Sequence, residues 1–320
     1  MNLNACTRSV NISLIDFTDF TYAISPSGDI TGDEILRNSI ARCGILHPPI
    51  IMEKDRDFYA IVRGRKRLHT FRSLYPATDS CYCLVLPNEI PAIDIYSVML
   101  EDLRISRTLS PVEKAFLLRK ISSIVDRDYI VAEFLPRMDI QADHFQMRQI
   151  LMLLDLEEPV IHAVHAGFIP ESVARSLSSL SAGDRMALYE IMTSLHLSTS
   201  YQKKLVLVCR EIASREQKSI AELLGNREVS AILNHQEANP PQKTKNLMTW
   251  LSRRHMPRSS QAKAEFAHFV SALQLPDTAT VDHTPSFEDD EVSLSLTFAN
   301  RKSLQDTWDK IRNAFCEKDN

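Results

Sequence analysis

The sequence predicts a multidomain α+β protein: an N-terminal α/β domain, an all-α middle and a small α/β tail. Three observations carry this. Up to about residue 100, short strand-like runs alternate with helices; from Ser110 the helical period is nearly continuous; and beyond a polar stretch with two adjacent prolines (HQEANPPQKTK, from His235), Val292, Leu294, Leu296 and Phe298 alternate strictly. The boundaries expected are 1–108, 109–234, a basic linker at 235–259 and a tail at 260–320.

In order along the chain, Val10 to Phe17 (VNISLIDF) alternates apolar and polar residues and reads as a strand. After the turn-forming SPSGD, a helix is expected from Asp33 to Cys43, with Ile35, Leu36, Ser39 and Ile40 on one face and Gly44 ending it. Pro48 and Pro49 hold an extended entry to Ile50 and Ile51, and FYAIV after a polar turn completes a hairpin. Gly64 then marks a strand-to-helix junction, with Leu68, Phe71 and Leu74 on the apolar face of the helix, before a further strand, CYCLVLP.

Ser110, Pro111 and Glu113 spell a capping box with proline in the first turn. Helices are then expected at 129–138, 142–154, 159–165, 170–180, 182–195, 200–215 and 219–224. In the tail, a helix at 260–273 precedes the alternating strand, which should be half-buried. A last helix at 301–315 groups Leu304, Trp308, Ile311 and Phe315 on one side.

Composition narrows the function. Hydrophobic residues at 44% and charged residues at 24% of 320 suit a folded globular protein. No apolar run approaches the roughly 20 residues of a membrane span, so no membrane partner is expected and the default location is the cytoplasm. The six cysteines are scattered and read as reduced, structural thiols. A net charge of -4 argues against coating nucleic acid by bulk attraction. Seven glycines in the whole chain leave no glycine-rich phosphate loop of the Walker or dinucleotide type.

The richest segment surrounds Gly64, where Arg63, Arg65, Lys66, Arg67, His69 and Arg72 crowd the start of a helix. Cations oppose the dipole there unless an anion sits among them, and guanidinium groups suit phosphate oxygens. A solvated basic face is the plainer alternative. In order and spacing, SIARCGILHPPIIMEKDRDFYAIVRGRKRLHTFRSL resembles the N-terminal domain of ParB-type partition proteins. That resemblance implies a CTP-binding domain of the ParB/sulfiredoxin fold. Gly44, Ile45, His47 and Pro48 would lie against the base, and Gly64, Arg65, Lys66 and Arg67 against the triphosphate.

EDLRISRTLSPVEKA is similar to the family's next motif and implies Glu101 and Asp102 as Mg²⁺-side carboxylates. Gly167, Ile169, Ala174, Arg175 and Leu177 match the stretch that follows the family's helix-turn-helix. The recognition helix would then carry Gln141, His144, Gln146, Arg148 and Gln149, with Asp143 among them. Arg253 and Arg254, in a basic run free of acids, are further candidates for the DNA backbone, or else belong to a hinge packed on an acidic neighbour. The departures are Arg65, where the family has glutamate, and Asp102, where it has asparagine; they leave hydrolysis open.

The resemblance implies a CTP-responsive DNA-binding protein of chromosome or plasmid partition, a homodimer that closes around DNA, with a slow CTPase serving as a switch. A partner ATPase is left open, because no arginine-rich peptide precedes Val10. Two other readings stay open: a small-molecule phosphotransferase on the same fold, and a degenerate relative that binds a protein.

Overall fold

The computed structural model describes residues 5–26, 34–54, 58–273, 279–283, 291–305 and 308. The chain divides into two compact units, Met1–Val206 and Leu207–Asn320.

The first unit opens with β1 (Cys6–Asn11) and β2 (Ile15–Asp16), where alternation suggested one strand. Asn11 breaks it. Its side chain accepts the Ser13 backbone N–H at 2.9 Å and sets a 3-10 turn over Ile12–Leu14, a local bond that competes with the ladder. Then come α1 (Glu34–Cys43), β3 (Ile50–Glu53), β4 (Tyr59–Arg63), α2 (Arg65–Leu74), β5 (Ser80–Leu86) and α3 (Ala92–Ser106). The sheet order is β1-β5-β3-β4-β2; β1–β5 and β3–β4 are antiparallel, and β3–β5 and β2–β4 are parallel.

β1 and β2 occupy opposite edges, yet only Ile12–Leu14 separates them. Across a flat sheet those edges stand about 19 Å apart at ~4.8 Å per strand. Four residue steps reach about 14 Å at most. The sheet therefore curls, drawing its two edges together. Val10, Ile15, Ile51, Ile61, Cys81, Cys83 and Val85 form one core with Leu68 of α2, and Phe71 packs against it. Cys81 and Cys83 are both buried, with sulfurs 3.5 Å apart. α1 is held by its C-terminal end, where Tyr75 donates to the carbonyls of Ile40 and Ala41 at 3.2 and 3.3 Å. Ile40 is accordingly buried, whereas Ile35, expected on the same inner face, is 82% exposed.

The helical part of this unit begins with α4 (Pro111–Ile121), entered through the full capping box of Ser110 and Glu113. The helix expected at 129–138 is broken into α5 (Arg127–Tyr129), a π turn (Ile130–Phe134) and a 3-10 turn (Pro136–Met138). Pro136, which has no N–H to donate, is the physical reason. α6 (His144–Leu151), α7 (Glu158–His165), α8 (Glu171–Ser178), α9 (Ala182–Ser194) and α10 (Thr199–Glu216) follow close to their expected spans. Leu117, Leu118, Phe134, Leu153 and Val160 are fully buried among them.

The second unit contains the end of α10, then α11 (Ile220–Leu224), α12 (Arg227–Leu233), α13 (Pro240–His255), α14 (Pro257–Ala272) and a ribbon of β6 (Ala279–His283) antiparallel to β7 (Val292–Leu296). The stretch expected as a linker is thus mostly helix. Asn239 and Gln242 form a capping box, the two prolines sit in the first turn where no N–H is needed, and Leu247, Met248 and Leu251 are buried. β7 is not half-buried: Val292, Leu294 and Leu296 are exposed, and its partner β6 was not anticipated. Residues 301–305 are helical; Ile311 and Phe315 lie outside the described residues. Among the described residues, no helix is long and apolar enough to cross a membrane.

Because Leu68 fixes α2 on the sheet, Leu68→Ala is expected to cost about 3 kcal/mol, the usual range for a buried leucine. A fall in urea midpoint at unchanged slope is the expected reading.

Candidate functional site

Gly64 opens α2 with φ +90°. A Cβ there would come within 3.0 Å of both the Pro49 Cβ and the Arg67 guanidinium, so conformation and space both require glycine. The first helical turn then holds Arg65, Lys66 and Arg67 with no acid among them. Beside it lies a cavity of about 980 Å³, at the large end of small-molecule pockets. Its walls come from residues 20–26, 61–67, 107–111 and His165 to Gly167, with Glu113, Phe116, Arg119 and Lys120 of α4. Seven lining side chains are cations (Arg63, Arg65, Lys66, Arg67, Arg107, Arg119 and Lys120), against one carboxylate, Glu113. That balance suits a polyanion.

How the cations are held decides what they can do. Arg63 pairs with Asp102 at 2.8 Å, and Arg107 grips Glu113 with both nitrogens, one of them at 2.7 Å. Three others bond only to main-chain carbonyls. Arg65 donates to Phe17 O at 2.7 Å and to Asp19 O, and lies 4.5 Å over the Phe20 ring. Arg67 donates to His47 O, and Lys120 to Phe20 O at 3.0 Å. Burial lowers the pKa of all three, with Arg63 adding to the effect on Arg67 and Arg119 to that on Lys120. Carboxylates act on them only at longer range and offset part of this: Asp19 and Asp16 on Arg65, Asp102 on Arg67 and Asp19 on Lys120.

Glu113, at 0% exposure, anchors the opposite wall. Burial pushes its carboxyl up, but Arg107, the Ser110 backbone N–H and the charge of His165 outweigh this and hold it below the usual range. Ser110 Oγ lies 2.9 Å from His165 Nδ1, which ties α4 to the end of α7.

The other residues singled out from the sequence are placed as follows. Gly44, at φ +69°, ends α1 with its N–H on Ile40 O at 2.9 Å; Ile45 is half-buried, and His47 and Pro48 are exposed. This loop does not line the cavity and touches the phosphate-side residues only through Arg67 on His47 O. Glu101 and Asp102 point in different directions. Adjacent helix positions point about 100° apart at 3.6 residues per turn. Glu101 turns to Arg137 at 2.8 Å and Arg104 at 3.5 Å, while Asp102 turns to Arg63, and neither lines the cavity. No group of three His, Cys, Asp or Glu that could hold a metal occurs among the described residues.

On α6, Asp143 is the N-cap, accepting the Phe145 N–H at 3.1 Å, which explains an acid at the head of a helix. Gln141, His144, Phe145 and Arg148 are exposed, with His144 2.9 Å from Asp128. Gln149 is half-buried, and Gln146 accepts from Arg175 at 3.0 Å, so its amide oxygen is engaged. Ile169, Ala174 and Leu177 are buried core residues, which makes the matched stretch around Arg175 a packing and positioning element for α6. In the second unit, Arg254 of α13 is clamped on Glu216 of α10 by two bonds of 2.7 Å, and Arg253 is exposed.

Sequence reasoning missed Phe20, Arg107, Lys120 and His165. Each is a single residue without a local pattern, brought to the cavity by the fold.

The first unit is thus a curled mixed sheet and a helical bundle around a cationic cavity. The solved structures it is similar to include ParB proteins. C-terminally truncated ParB from Caulobacter crescentus, complexed to the centromeric parS site, is 16% identical over 62% of this chain and 98% of that one, with a TM-score of 0.35. The same protein complexed with CTP-gamma-S is 16% identical over 55% and 94%, with a TM-score of 0.23. A Pnob8-like ParB-N domain is 14% identical over 78% and 98%, with a TM-score of 0.36. Likeness at this level assigns neither ligand nor partner. No family model and no curated protein matches the chain.

Glu113→Gln is expected to cost about 2 kcal/mol, the scale of charge-assisted bonds to a buried acceptor. Its folded pKa is lowered, so its stabilisation is present above the usual glutamate value of about 4.3 and lost as pH falls through the lowered one. Urea midpoints of the variant and the parent, taken at intervals from pH 7 to 3, should converge at the acid end.

Proposed function

We propose that the chain is a ParB-like nucleotide-binding protein whose cavity takes the triphosphate of CTP and whose α6 surface meets DNA. The observation that supports it most is the seven-to-one excess of cations over acids in a cavity entered through Gly64, at the position where the sequence resembles the family's triphosphate loop. Arg65, Lys66 and Arg67 would hold phosphate oxygens, with Arg67 freed from a neutral carbonyl rather than from a carboxylate. A ligand that binds one conformation better shifts the population toward it, and the cavity draws on the sheet, α2, α4 and α7 together, so closure around a nucleotide would bias all of them. DNA contact would fall to Gln141 ahead of α6, His144 at its start and Arg148 in its last turn, all exposed, after a tight turn in which Asp139 has φ 55°. One exposed arginine on an eight-residue helix predicts weak, salt-sensitive binding by a single copy. Pairing in a homodimer would double it.

The reading favours binding over hydrolysis, because Glu101 is engaged by Arg137 outside the cavity and Asp102 by Arg63 at its wall. Calorimetric titration with CTPγS, ATP and GTP in Mg²⁺ tests it. Expected is micromolar binding of the cytidine nucleotide, weakened at least about tenfold by Arg67→Ala, the loss of one charge-assisted contact, with Glu101→Gln near the parent value. A protein that binds none of the three nucleotides would overturn the proposal.

A further inference from the structure

Lys120 lies in α4, 55 residues beyond Arg65, outside every segment that suggested a phosphate site from the sequence. The two side chains nevertheless converge on one residue. Lys120 Nζ is 3.0 Å from the Phe20 carbonyl, while the Arg65 guanidinium lies 4.5 Å over the Phe20 ring and donates to the carbonyl before it. Both line the same cavity.

The Phe20 carbonyl does not need Lys120. It already accepts the Ala23 N–H at 3.1 Å, which closes the turn. Even a carbonyl without that bond would need only a neutral donor. A full positive charge, half-buried beside Arg119, is an unfavourable way to supply one. The arrangement makes physical sense once an anion shares the space, since a phosphate oxygen outcompetes a neutral carbonyl for an ammonium group.

We propose that Lys120 is a polyphosphate-binding residue supplied by α4 to the cavity that Arg65 and Lys66 also line, and that it favours extended polyphosphates over single phosphates. The inference rests on the cationic cavity binding phosphate at all. A chain of phosphates seated on the α2 turn at Lys66 and Arg67 would reach Lys120, beside Arg65, with a further phosphate, a contact that orthophosphate seated on that turn would not make. The contact would also loosen the tie between α4 and residues 17–26, so ligand length would be felt in that wall.

Calorimetry with inorganic triphosphate and with orthophosphate, on the full chain, separates the possibilities. Lys120→Gln should weaken triphosphate about tenfold, the scale of one charge-assisted bond, and leave orthophosphate within about twofold. Lys120→Arg should restore most of the triphosphate affinity. Equal triphosphate binding by Lys120→Gln and the parent would overturn the assignment while leaving the cavity reading intact. Arginine as poor as glutamine, with both variants folded by thermal unfolding, would overturn it in favour of a packing role. A parent protein that binds triphosphate no better than Arg67→Ala would remove the cavity reading and this inference together.

Discussion

Between β2 and α1 the chain runs through residues 17–26 without a strand to pair with, and its carbonyls must still find donors. Arg65 of α2 serves Phe17 and Asp19, Tyr96 of α3 serves Thr21 at 2.9 Å, and the Phe20 carbonyl takes the Ala23 N–H at 3.1 Å with Lys120 of α4 added to it. Tyr22 and Ile24 are buried behind them. This one segment joins the curled sheet to the helical bundle and forms the wall of the cavity. Without it, α2 would present its basic turn to open water.

The same economy shapes the electrostatics. Acids near the cavity are used up on structural partners: Asp102 on Arg63, Glu101 on Arg137, Asp19 on Lys54 at 2.6 Å, Glu113 on Arg107. What faces inward is positive charge balanced by dipoles. That balance follows from where the side chains point rather than from which residues are present.

Much of this was legible in the sequence wherever the governing contact is local. The capping box at Ser110, the β3–β4 hairpin and the glycine before α2 are short-range patterns, and they fold as read. Asn11 defeated the reading of one strand because a two-residue side-chain bond outweighed alternation. Two prolines disguised the first turn of α13 as a linker, although they occupy the position a helix tolerates best. The arginine partners of Glu101 and Asp102 stand 36 and 39 residues away, and nothing in EDLRIS reports them. Lys120 and Phe20 meet across 100 residues, beyond any pattern.

The placement of Cys81 and Cys83 has a practical side. Both thiols face the core from β5, a strand flanked by β1 and β3, and the neighbouring sulfur together with burial pushes the Cys83 thiol up. Cys6 and Cys43, by contrast, are exposed. An alkylating reagent meets the exposed pair at once and the buried pair only when the sheet opens. The protein therefore carries its own clock for that opening, and the rate at which the inner thiols become modified would record how often the curled sheet comes apart.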